Sequence, residues 1–307
     1  MSESLFAVFG NPVLHSKSPQ LFKSAFSELA IEANYTRIRP SNAADVVGIV
    51  KQLNILGANI TTPFKTQVIP FLDSVSSDAL KIEGVNTILN RSGKLLGFNT
   101  DYLGVSRALR GEGLHLQGSK CLVLGAGPAA RAAVYVMVKE GANVKVINRT
   151  TENALKVAND FGCEYALLSE IGREIKEVDI VVSALLPDAN PLAQVEIPSR
   201  ITFLDANYRS SNISTFARNS GCMVISGEKW LLHQAVASME IFLEQEVDVE
   251  VMQRGLLNNL NRKNLKICTP YDSWNDVYTS DLVISAPKNS NLFTSILHEE
   301  ISKAFEN

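Results

Sequence analysis

The sequence predicts an α/β fold made of two lobes. Short apolar runs alternate with amphipathic stretches through most of the 307 residues, which is typical of parallel strands joined by helical crossovers. A chain of this length, with 46% apolar and 20% charged residues, can bury a full core and suggests two domains. The glycine-rich stretch at residues 111–119 separates two such alternating patterns, so we place the domain boundary there.

The first pattern, residues 1–110, predicts a small α/β domain. Ser18 followed by Pro19 indicates a helix start, with the serine as N-cap and the proline in the first helical position. Ser92 and Gly93 indicate a turn between two strands within residues 86–101. The other predicted strands are 5–9, 33–39 and 57–61, and the predicted helices are 18–30, 43–54, a short one after Pro63, and 102–110.

The second pattern, residues 111–226, predicts a doubly wound nucleotide-binding domain. Its predicted strands are 120–125, 143–148, 178–184, 201–206 and 222–226, with helices at 128–141 and 151–162. A long helix follows at 227–246, where apolar residues recur at helical spacing. Residues 247–307 show no continuous pattern, but they contain strand-like pieces at 265–269 and 281–287 and an amphipathic helix at 291–307.

Composition argues against several classes of partner. A net charge of −3 and a pI near 5.9 provide no basic field for nucleic acid or a membrane surface. No apolar run is long enough to span a bilayer, and the N-terminus lacks a secretory pattern, so we expect a cytoplasmic protein. The cysteines show no CxxC pair and no histidine at ligand spacing; we expect reduced, buried thiols and no metal site.

The stretch "CLVLGAGPAARAA" has the form of a dinucleotide-binding loop. Gly125, Gly127 and Ala130 form a GxGxxA pattern directly after an apolar strand and directly before a helix. The first glycine allows a tight turn, the second lets backbone approach a pyrophosphate, and the small third residue lets helix and strand pack closely. The helix N-terminus then supplies free N–H groups for the phosphates, so this context favours a cofactor site over an ordinary turn.

The next predicted strand ends in Asn148, Arg149, Thr150 and Thr151. An NAD site would place an acidic residue about here, roughly 20 residues beyond the glycines. A carboxylate would repel a 2′-phosphate, whereas a guanidinium and hydroxyls would hold one, so the sequence favours NADP over NAD. The alternative is that Arg149 is a solvated loop residue and that Thr150 or Thr151 caps the next helix.

Polar residues follow several predicted strands of the first domain. Because loops after strands in an open α/β sheet converge on one crevice, these side chains could share a pocket for a small, polyhydroxylated anion. Lys65 could deliver a proton to the alkoxide that forms when a ketone is reduced, while Asp101 orients the lysine and binds a neighbouring hydroxyl. The set comprises Ser16, Ser18, Asn59, Thr61, Lys65, Asn86, Asn99 and Asp101.

Each of these residues also has an ordinary structural interpretation. Ser18 and Asp101 can be helix N-caps. Asn59 and Asn86 can be turn residues, and Lys65 can be a solvated lysine.

In this combination, the sequence resembles the shikimate dehydrogenase family. The family patterns run approximately GxPxxHSxSP, NxTxPxK, VNT, GxNTD, GAGGAxRA, NRT and GxxMLxxQA. This chain reads "GNPVLHSKSP", "NITTPFK", "VNT", "GFNTD", "GAGPAARA", "NRT" and "GEKWLLHQA" in the same order. The resemblance covers residues 5 to about 246.

The resemblance implies reversible, NADPH-dependent reduction of 3-dehydroshikimate to shikimate, a step of aromatic amino-acid biosynthesis through chorismate. It implies that Lys65 is catalytic together with Asp101, and that Ser16 and Ser18 bind the substrate carboxylate near Tyr208. The other substrate contacts that it implies are Thr61, Asn86, Asp101 and Gln234. The cofactor contacts that it implies are Gly125, Ala126, Gly127, Pro128, Ala129, Asn148, Arg149, Thr150 and Gly227.

The resemblance also implies a domain arrangement. Residues 1–110 would bind substrate, 111–226 would bind NADP, and the helix 227–246 would return to the first domain, with hinge motion gating a cleft between the lobes. Residues 247–307 extend beyond a typical member and have no assigned role. The expected assembly is a monomer or homodimer.

Departures from the family patterns leave two alternatives open. Asn153 stands where a second basic residue is usual, and Trp230 replaces the usual methionine of the last motif. The chain could therefore be a paralogue acting on quinate, shikimate or an amino-shikimate with NAD or with relaxed cofactor use. It could also be a catalytically weak shikimate-binding or regulatory homologue.

Overall fold

The computed structural model describes residues 3–288 and 290–305. Its strands are β1 (Ser4–Phe9), β2 (Ala33–Arg39), β3 (Gly57–Ile60), β4 (Ser74–Val75), β5 (Thr87–Arg91), β6 (Lys94–Phe98), β7 (Lys120–Leu124), β8 (Asn143–Ile147), β9 (Glu164–Ala166), β10 (Ile180–Ser183), β11 (Thr202–Asp205), β12 (Met223–Ile225), β13 (Ile267–Cys268) and β14 (Leu282–Ile284). Its helices are α1 (Ser18–Glu28), α2 (Ala43–Gln52), α3 (Phe64–Gln67), α4 (Ser77–Ile82), α5 (Asp101–Arg110), α6 (Pro128–Lys139), α7 (Thr151–Phe161), α8 (Ile171–Glu174), α9 (Asn212–Asn219), α10 (Gly227–Leu243), α11 (Val249–Gln253), α12 (Trp274–Tyr278) and α13 (Asn291–Phe305).

The chain divides into two compact units. Unit 1 comprises the described residues of 1–80, 84–99 and 235–307, and unit 2 comprises 81–83 and 100–234. Helix α5 belongs to unit 2 because its buried Val105, Ala108 and Leu109 share one apolar core with Ala130 and Ala133 of α6. Unit 2 therefore begins before the glycine-rich stretch at which the sequence suggested a boundary.

Unit 1 is built on a mixed sheet with the strand order β13-β14-β2-β1-β3-β5-β6-β4. The central β1 pairs in parallel with β2 and β3, whereas β5 is antiparallel to both β3 and β6. The predicted turn between β5 and β6 is confirmed: Ser92 and Gly93 both have positive φ, at 53° and 86°. This is the conformation of a two-residue hairpin turn that matches strand twist.

The start of α1 differs by one residue from the prediction. The N-cap is Lys17, and Ser18 is already helical, so Pro19 occupies the second helical position. The prediction of Ser18 as N-cap was wrong because proline is tolerated throughout the first turn, where the amide N–H has no partner within the helix. The N–H of Ser18 instead donates to the Ser16 hydroxyl at 3.3 Å.

Unit 2 contains a parallel sheet with the strand order β12-β11-β10-β7-β8-β9. The sequence moves outward from β7 in one direction and then from β10 in the other, so the predicted doubly wound fold is confirmed. The chain also forms β9, α8 and α9, which the sequence pattern did not predict. These elements are short: β9 has three residues, α8 four and α9 eight.

The C-terminal residues add two strands to the sheet of unit 1. β14 lies beside β2 through the pairs Val283↔Ile38 and Ile284↔Arg39, and β13 lies outside β14. The strand-like pieces and the amphipathic helix predicted from the sequence are thus confirmed as β13, β14 and α13, except that residues 306–307 of the predicted helix lie outside the described residues. Val283 and Val277 are fully buried in the main apolar core of unit 1, so this segment completes the unit.

Among the residues that the structure describes, no helix combines the length and apolar character needed to cross a bilayer. In the same residues, no group of three or more histidine, cysteine or acidic side chains is arranged to hold a metal ion. The cysteines are free thiols; Cys121, Cys222 and Cys268 are buried and Cys163 is half-buried. Burial raises the pKa of Cys121 to about 12 and that of Cys163 to about 11, so both stay protonated near neutral pH.

Candidate functional site

The strand register of unit 1 gathers most of the predicted site residues at one edge of its sheet. Phe9 pairs with Ile60 at the carboxyl ends of β1 and β3, and Asn59 and Phe98 both pair with Thr87. Residues that follow β1, β3 and β6 therefore meet residues that precede β5. Asn86 was predicted to follow a strand, but it precedes β5 and reaches this edge because β5 runs antiparallel.

The β1–α1 loop, defined as residues 10–17, carries the first serine. The Ser16 hydroxyl donates to the Ser18 hydroxyl at 3.2 Å, and both side chains are buried. The Ser16 carbonyl accepts bonds from Nε and Nη2 of Arg37 at 3.0 and 2.6 Å. Arg37 is itself buried on β2, so the loop is held from the sheet and presents both hydroxyls from a fixed backbone.

Two neighbouring sets of buried hydrogen bonds, one between these serines and one centred on Asn59, are together called here the polar cluster. The fully buried Tyr35 donates from its hydroxyl to Asn59 Oδ1 at 2.7 Å and lies within hydrogen-bonding reach of Ser18. Asn59 Nδ2 donates to the Ser238 hydroxyl at 2.9 Å and to the Asn86 carbonyl at 3.3 Å. The members of the polar cluster are Ser16, Ser18, Tyr35, Asn59, Asn86, Thr87 and Ser238.

Burial raises the pKa of the Tyr35 hydroxyl well above its ordinary value. Tyr35 therefore stays protonated and acts as a hydrogen-bond donor over the physiological range. The ring of Phe22 stacks on that of Tyr35 at 4.4 Å between centroids, which fixes its plane.

Thr61 and Lys65 lie beside the polar cluster. The Thr61 N–H donates to the Phe9 carbonyl at 2.8 Å, and the Lys65 carbonyl accepts from Val85 N–H at 2.8 Å. Both side chains are half-buried. A Cβ on Gly10 would come within 2.5 Å of the Thr61 methyl group, so a glycine is needed where the β1–α1 loop passes this threonine.

The glycine loop of unit 2 has the geometry that its sequence predicts. Gly125 adopts a φ of +116°, which other residues rarely tolerate, and it follows β7 directly. Gly127 is the N-cap of α6, and a Cβ at this position would meet no atom within 4 Å. Pro128 begins α6, where a missing N–H costs nothing, and the buried Ala130 lies against Gly125. Ala126 and Ala129 are half-buried beside them.

The residues after β8 are accessible. Arg149 and Thr150 are exposed, and Asn148 donates from its side chain to the Thr150 carbonyl at 2.9 Å. Thr150 occupies the N-cap position of α7, yet its hydroxyl caps no backbone N–H of the described helix. The interpretation of Thr150 as the N-cap of α7 is therefore confirmed for its position, but its hydroxyl makes no capping hydrogen bond.

The remaining predicted site residues also lie in unit 2. Asp101 is buried in the first turn of α5, whose N-cap is Thr100, so the interpretation of Asp101 as N-cap is wrong. Gln234 is buried, and its Oε1 accepts a long bond of 3.4 Å from the Thr100 hydroxyl. Tyr208 is half-buried in the segment after β11. A Cβ on Gly227 would lie 2.4 Å from the carbonyl carbon of Asn207, so only glycine fits there.

Sequence reasoning missed Tyr35, Arg37 and Ser238 as members or supports of the site. Tyr35, Arg37 and Arg39 occupy every second position of β2. Alternating residues of a strand share a face, so large polar side chains at this spacing were the available signal for a polar face. Ser238 carries no such signal, because a serine on a largely apolar helix is usually structural.

The doubly wound sheet and the glycine loop define unit 2 as a dinucleotide-binding fold of the kind used by dehydrogenases. A family model for the shikimate dehydrogenase substrate binding domain matches residues 8–88, and one for shikimate / quinate 5-dehydrogenase matches residues 108–197. A shikimate dehydrogenase (NADP(+)) from Pyrococcus furiosus is 34% identical over 261 residues, covering 82% of this chain and 95% of the relative. This chain therefore belongs to the shikimate dehydrogenase family.

Solved structures agree with this placement. Shikimate dehydrogenase from Aquifex aeolicus matches with a TM-score of 0.78 and 31% identity, covering 83% of this chain and 98% of that one. The enzyme from Thermus thermophilus, in complex with NADP(H) and shikimate, matches with a TM-score of 0.75 and 32% identity, covering 82% and 98%. Nearly all of each known structure is matched, while part of this chain has no counterpart in it.

Proposed function

We propose that this chain catalyses the reversible, NADP-dependent interconversion of 3-dehydroshikimate and shikimate. Family membership supports the reaction class. The observation that carries the choice of substrate is the polar cluster of unit 1, where hydroxyls and amides are fixed by mutual hydrogen bonds beside Thr61 and Lys65. Such a preorganised set suits a small ring that carries several hydroxyls and one carboxylate.

Unit 2 fits the cofactor. The open position beside Gly127 leaves room for a pyrophosphate to approach the N-terminus of α6, where backbone N–H groups are available. Arg149 is exposed and the Thr150 hydroxyl caps no helix, so both can hold a 2′-phosphate. The residues that would hold the cofactor are Gly125, Ala126, Gly127, Pro128, Ala129, Asn148, Arg149, Thr150 and Gly227.

In the proposed mechanism, bound NADP supplies the hydride chemistry. Ser16 and Ser18 orient the ring by donating hydrogen bonds to its carboxylate. In the reducing direction, the Lys65 ammonium donates a proton to the carbonyl oxygen as it becomes a hydroxyl, and in the oxidising direction Lys65 takes that proton back. We assign ring-hydroxyl contacts to Thr61, Asn86 and Asp101 and further substrate contacts to Tyr208 and Gln234.

Steady-state rates with shikimate and quinate, each with NADP and NAD, test this function. The highest kcat/KM is expected for shikimate with NADP. A large preference for quinate would mean that quinate, not shikimate, is the substrate. Quinate is the alternative to test because the matching family model describes shikimate / quinate 5-dehydrogenases. Shikimate binding in calorimetry, without detectable NADPH binding or turnover, would instead support a regulatory protein that has kept the fold.

We further propose a cytoplasmic location and a monomeric or homodimeric state. The free, protonated thiols of the described residues fit a reducing compartment. Fractionation of the producing cells and size-exclusion chromatography with light scattering check the two statements separately.

A further inference from the structure

The C-terminal helix α13 carries a carboxylate into the interior of unit 1. Glu300 has no exposed surface, and Phe293, which is also buried, lies seven residues earlier on the same face of the helix. A buried carboxylate is costly unless every lone pair finds a partner. The partners of Glu300 therefore indicate what this helix is positioned to do.

Those partners belong to the β1–α1 loop and to β2. Val13 N–H donates to both Glu300 oxygens at 2.9 and 3.1 Å, and Leu14 N–H donates to Oε2 at 2.7 Å. Arg39 Nη1 donates to Oε1 at 3.1 Å and supplies the opposing charge. Two consecutive backbone N–H groups and a guanidinium thus enclose the carboxylate, as in an anion-binding nest.

The contact of Glu300 with Val13 is linked through the backbone to the first serine of the polar cluster. The Ser16 N–H donates to the Val13 carbonyl at 2.9 Å, so a shift of Val13 moves Ser16 directly. Arg37 holds the other side of the loop at the Ser16 carbonyl. The loop is therefore fixed at two points, one of which is supplied by α13.

The segment that brings Glu300 here is anchored without it. β14 is paired with β2, and Val277, Leu282, Val283 and Ile284 are fully buried. Glu300 is consequently not needed to attach these strands to the sheet. Three of its four described hydrogen bonds go to the β1–α1 loop, and the fourth goes to Arg39 of β2.

We propose that Glu300 is a positioning residue for substrate binding: by holding the N–H groups of Val13 and Leu14, it sets the placement of Ser16 and Ser18 for the substrate carboxylate. This inference rests on the proposed function. It gives the C-terminal segment, which the sequence left without a role, a task in the recognition of the substrate anion.

The test compares Glu300→Gln with Glu299→Gln in the full-length protein. Glu299 is the matched control, because it also pairs with Arg39, at 2.7 Å, but it is half exposed and has no bond to the loop among those described. For E300Q we expect KM for shikimate to rise about tenfold, with kcat within about twofold and KM for NADP unchanged, because only carboxylate binding is disturbed. For E299Q we expect wild-type constants.

A second substrate separates positioning from general damage. Shikimate methyl ester lacks the carboxylate charge, so KM for the ester should be the same in E300Q as in the wild type. An equal loss for acid and ester, a KM for shikimate at or below the wild-type value, or an equal effect in E299Q overturns the inference. Should E300Q fail to fold, Glu300→Asp keeps the charge with a shorter reach and should raise KM for shikimate severalfold; wild-type KM in E300D also overturns it.

Failure of the proposed function looks different. If the wild-type protein turns over no shikimate, that function is wrong, and amide hydrogen exchange then tests the loop itself. Exchange at Val13 and Leu14 should become faster in E300Q and not in E299Q, because their acceptor has lost its charge. Equal exchange in the two variants overturns the anchoring role as well.

Discussion

The polar cluster of unit 1 and the proposed cofactor positions of unit 2 present their hydrogen-bonding groups in opposite ways. In the polar cluster, side chains such as Tyr35 and Asn59 are buried and already bonded to each other at 2.7 Å. In unit 2, Gly127 contributes only backbone, and Arg149 and Thr150 stand exposed. One region fixes its groups by mutual contacts, whereas the other relies on backbone shape and on accessible side chains.

This difference shows which substitutions each region tolerates. A buried network loses several bonds when one member changes, because each unpaired polar group is costly in the interior. A backbone site depends on where the chain passes, and Pro128 fits the first position of α6 because the N–H there has no partner within the helix. Four substitutions test the contrast, in decreasing order of expected effect.

The largest effect is expected for Lys65→Ala, which removes the proposed proton donor beside the polar cluster. Turnover should fall about 10²- to 10⁴-fold, the usual contribution of general acid–base catalysis, while KM for shikimate changes only severalfold. Lys51→Ala, at an exposed position near the end of α2, is the control and should leave kcat unchanged. Wild-type turnover in K65A would remove Lys65 from the chemical step.

Gly227→Ala tests the dependence of unit 2 on backbone shape. The added Cβ would lie 2.4 Å from the backbone of Asn207, so we expect a loss of about 1–3 kcal/mol in the free energy of unfolding by urea. Gly48→Ala places the same methyl group in open space on α2 and should stabilise by about 0.5–1 kcal/mol, because alanine favours helix. Equal stability of G227A and wild type would show that the backbone at residues 205–207 can shift to make room for the added Cβ at little cost.

Arg149→Ala tests the accessible side chains of unit 2. Loss of one charge-assisted contact to the 2′-phosphate should lower kcat/KM for NADP about tenfold and leave that for NAD unchanged. Arg218→Ala, an exposed arginine in the last turn of α9, is the matched control. A parallel fall with both cofactors would place Arg149 away from the 2′-phosphate.

Tyr35→Phe tests the polar cluster and is expected to have the smallest effect. Asn59 loses the donor at its Oδ1, so the free energy of unfolding should fall by about 1 kcal/mol, and KM for shikimate should rise severalfold through Ser18. Tyr271→Phe removes a hydroxyl from a mostly exposed tyrosine of the same unit and should change neither quantity. An unchanged KM in Y35F would mean that Ser18 is held without Tyr35.

Much of the fold follows from local patterns in the sequence. The apolar runs mark β1, β2 and β7 to within a residue or two. The Ser92–Gly93 pair predicts a turn, and both residues have the positive φ angles that such a turn requires. The glycine loop was predictable because strand, loop and helix occur in immediate succession. These signals are carried by residues that are near each other along the chain.

Other features depend on contacts that no local pattern contains. The place of Asn86 follows from an antiparallel strand within a mostly parallel unit. Glu300 meets Val13 and Leu14 from the opposite end of the chain, and the sequence near residue 300 reads simply as an amphipathic helix. The catalytic and binding roles of Lys65 and the other site residues remain predictions that the kinetic experiments address.

The order in which the residues of the two units are synthesised has a consequence for folding on the ribosome. Unit 2 draws almost entirely on residues 100–234, whereas unit 1 needs residues from both the first hundred and the last seventy or so. The edge of β2 that later pairs with β14 therefore stays an open strand edge until residues 282–284 have been made, a feature that invites association with other chains. The sheet of unit 1 is therefore complete only after residues 282–284 have been made, well after the residues of unit 2.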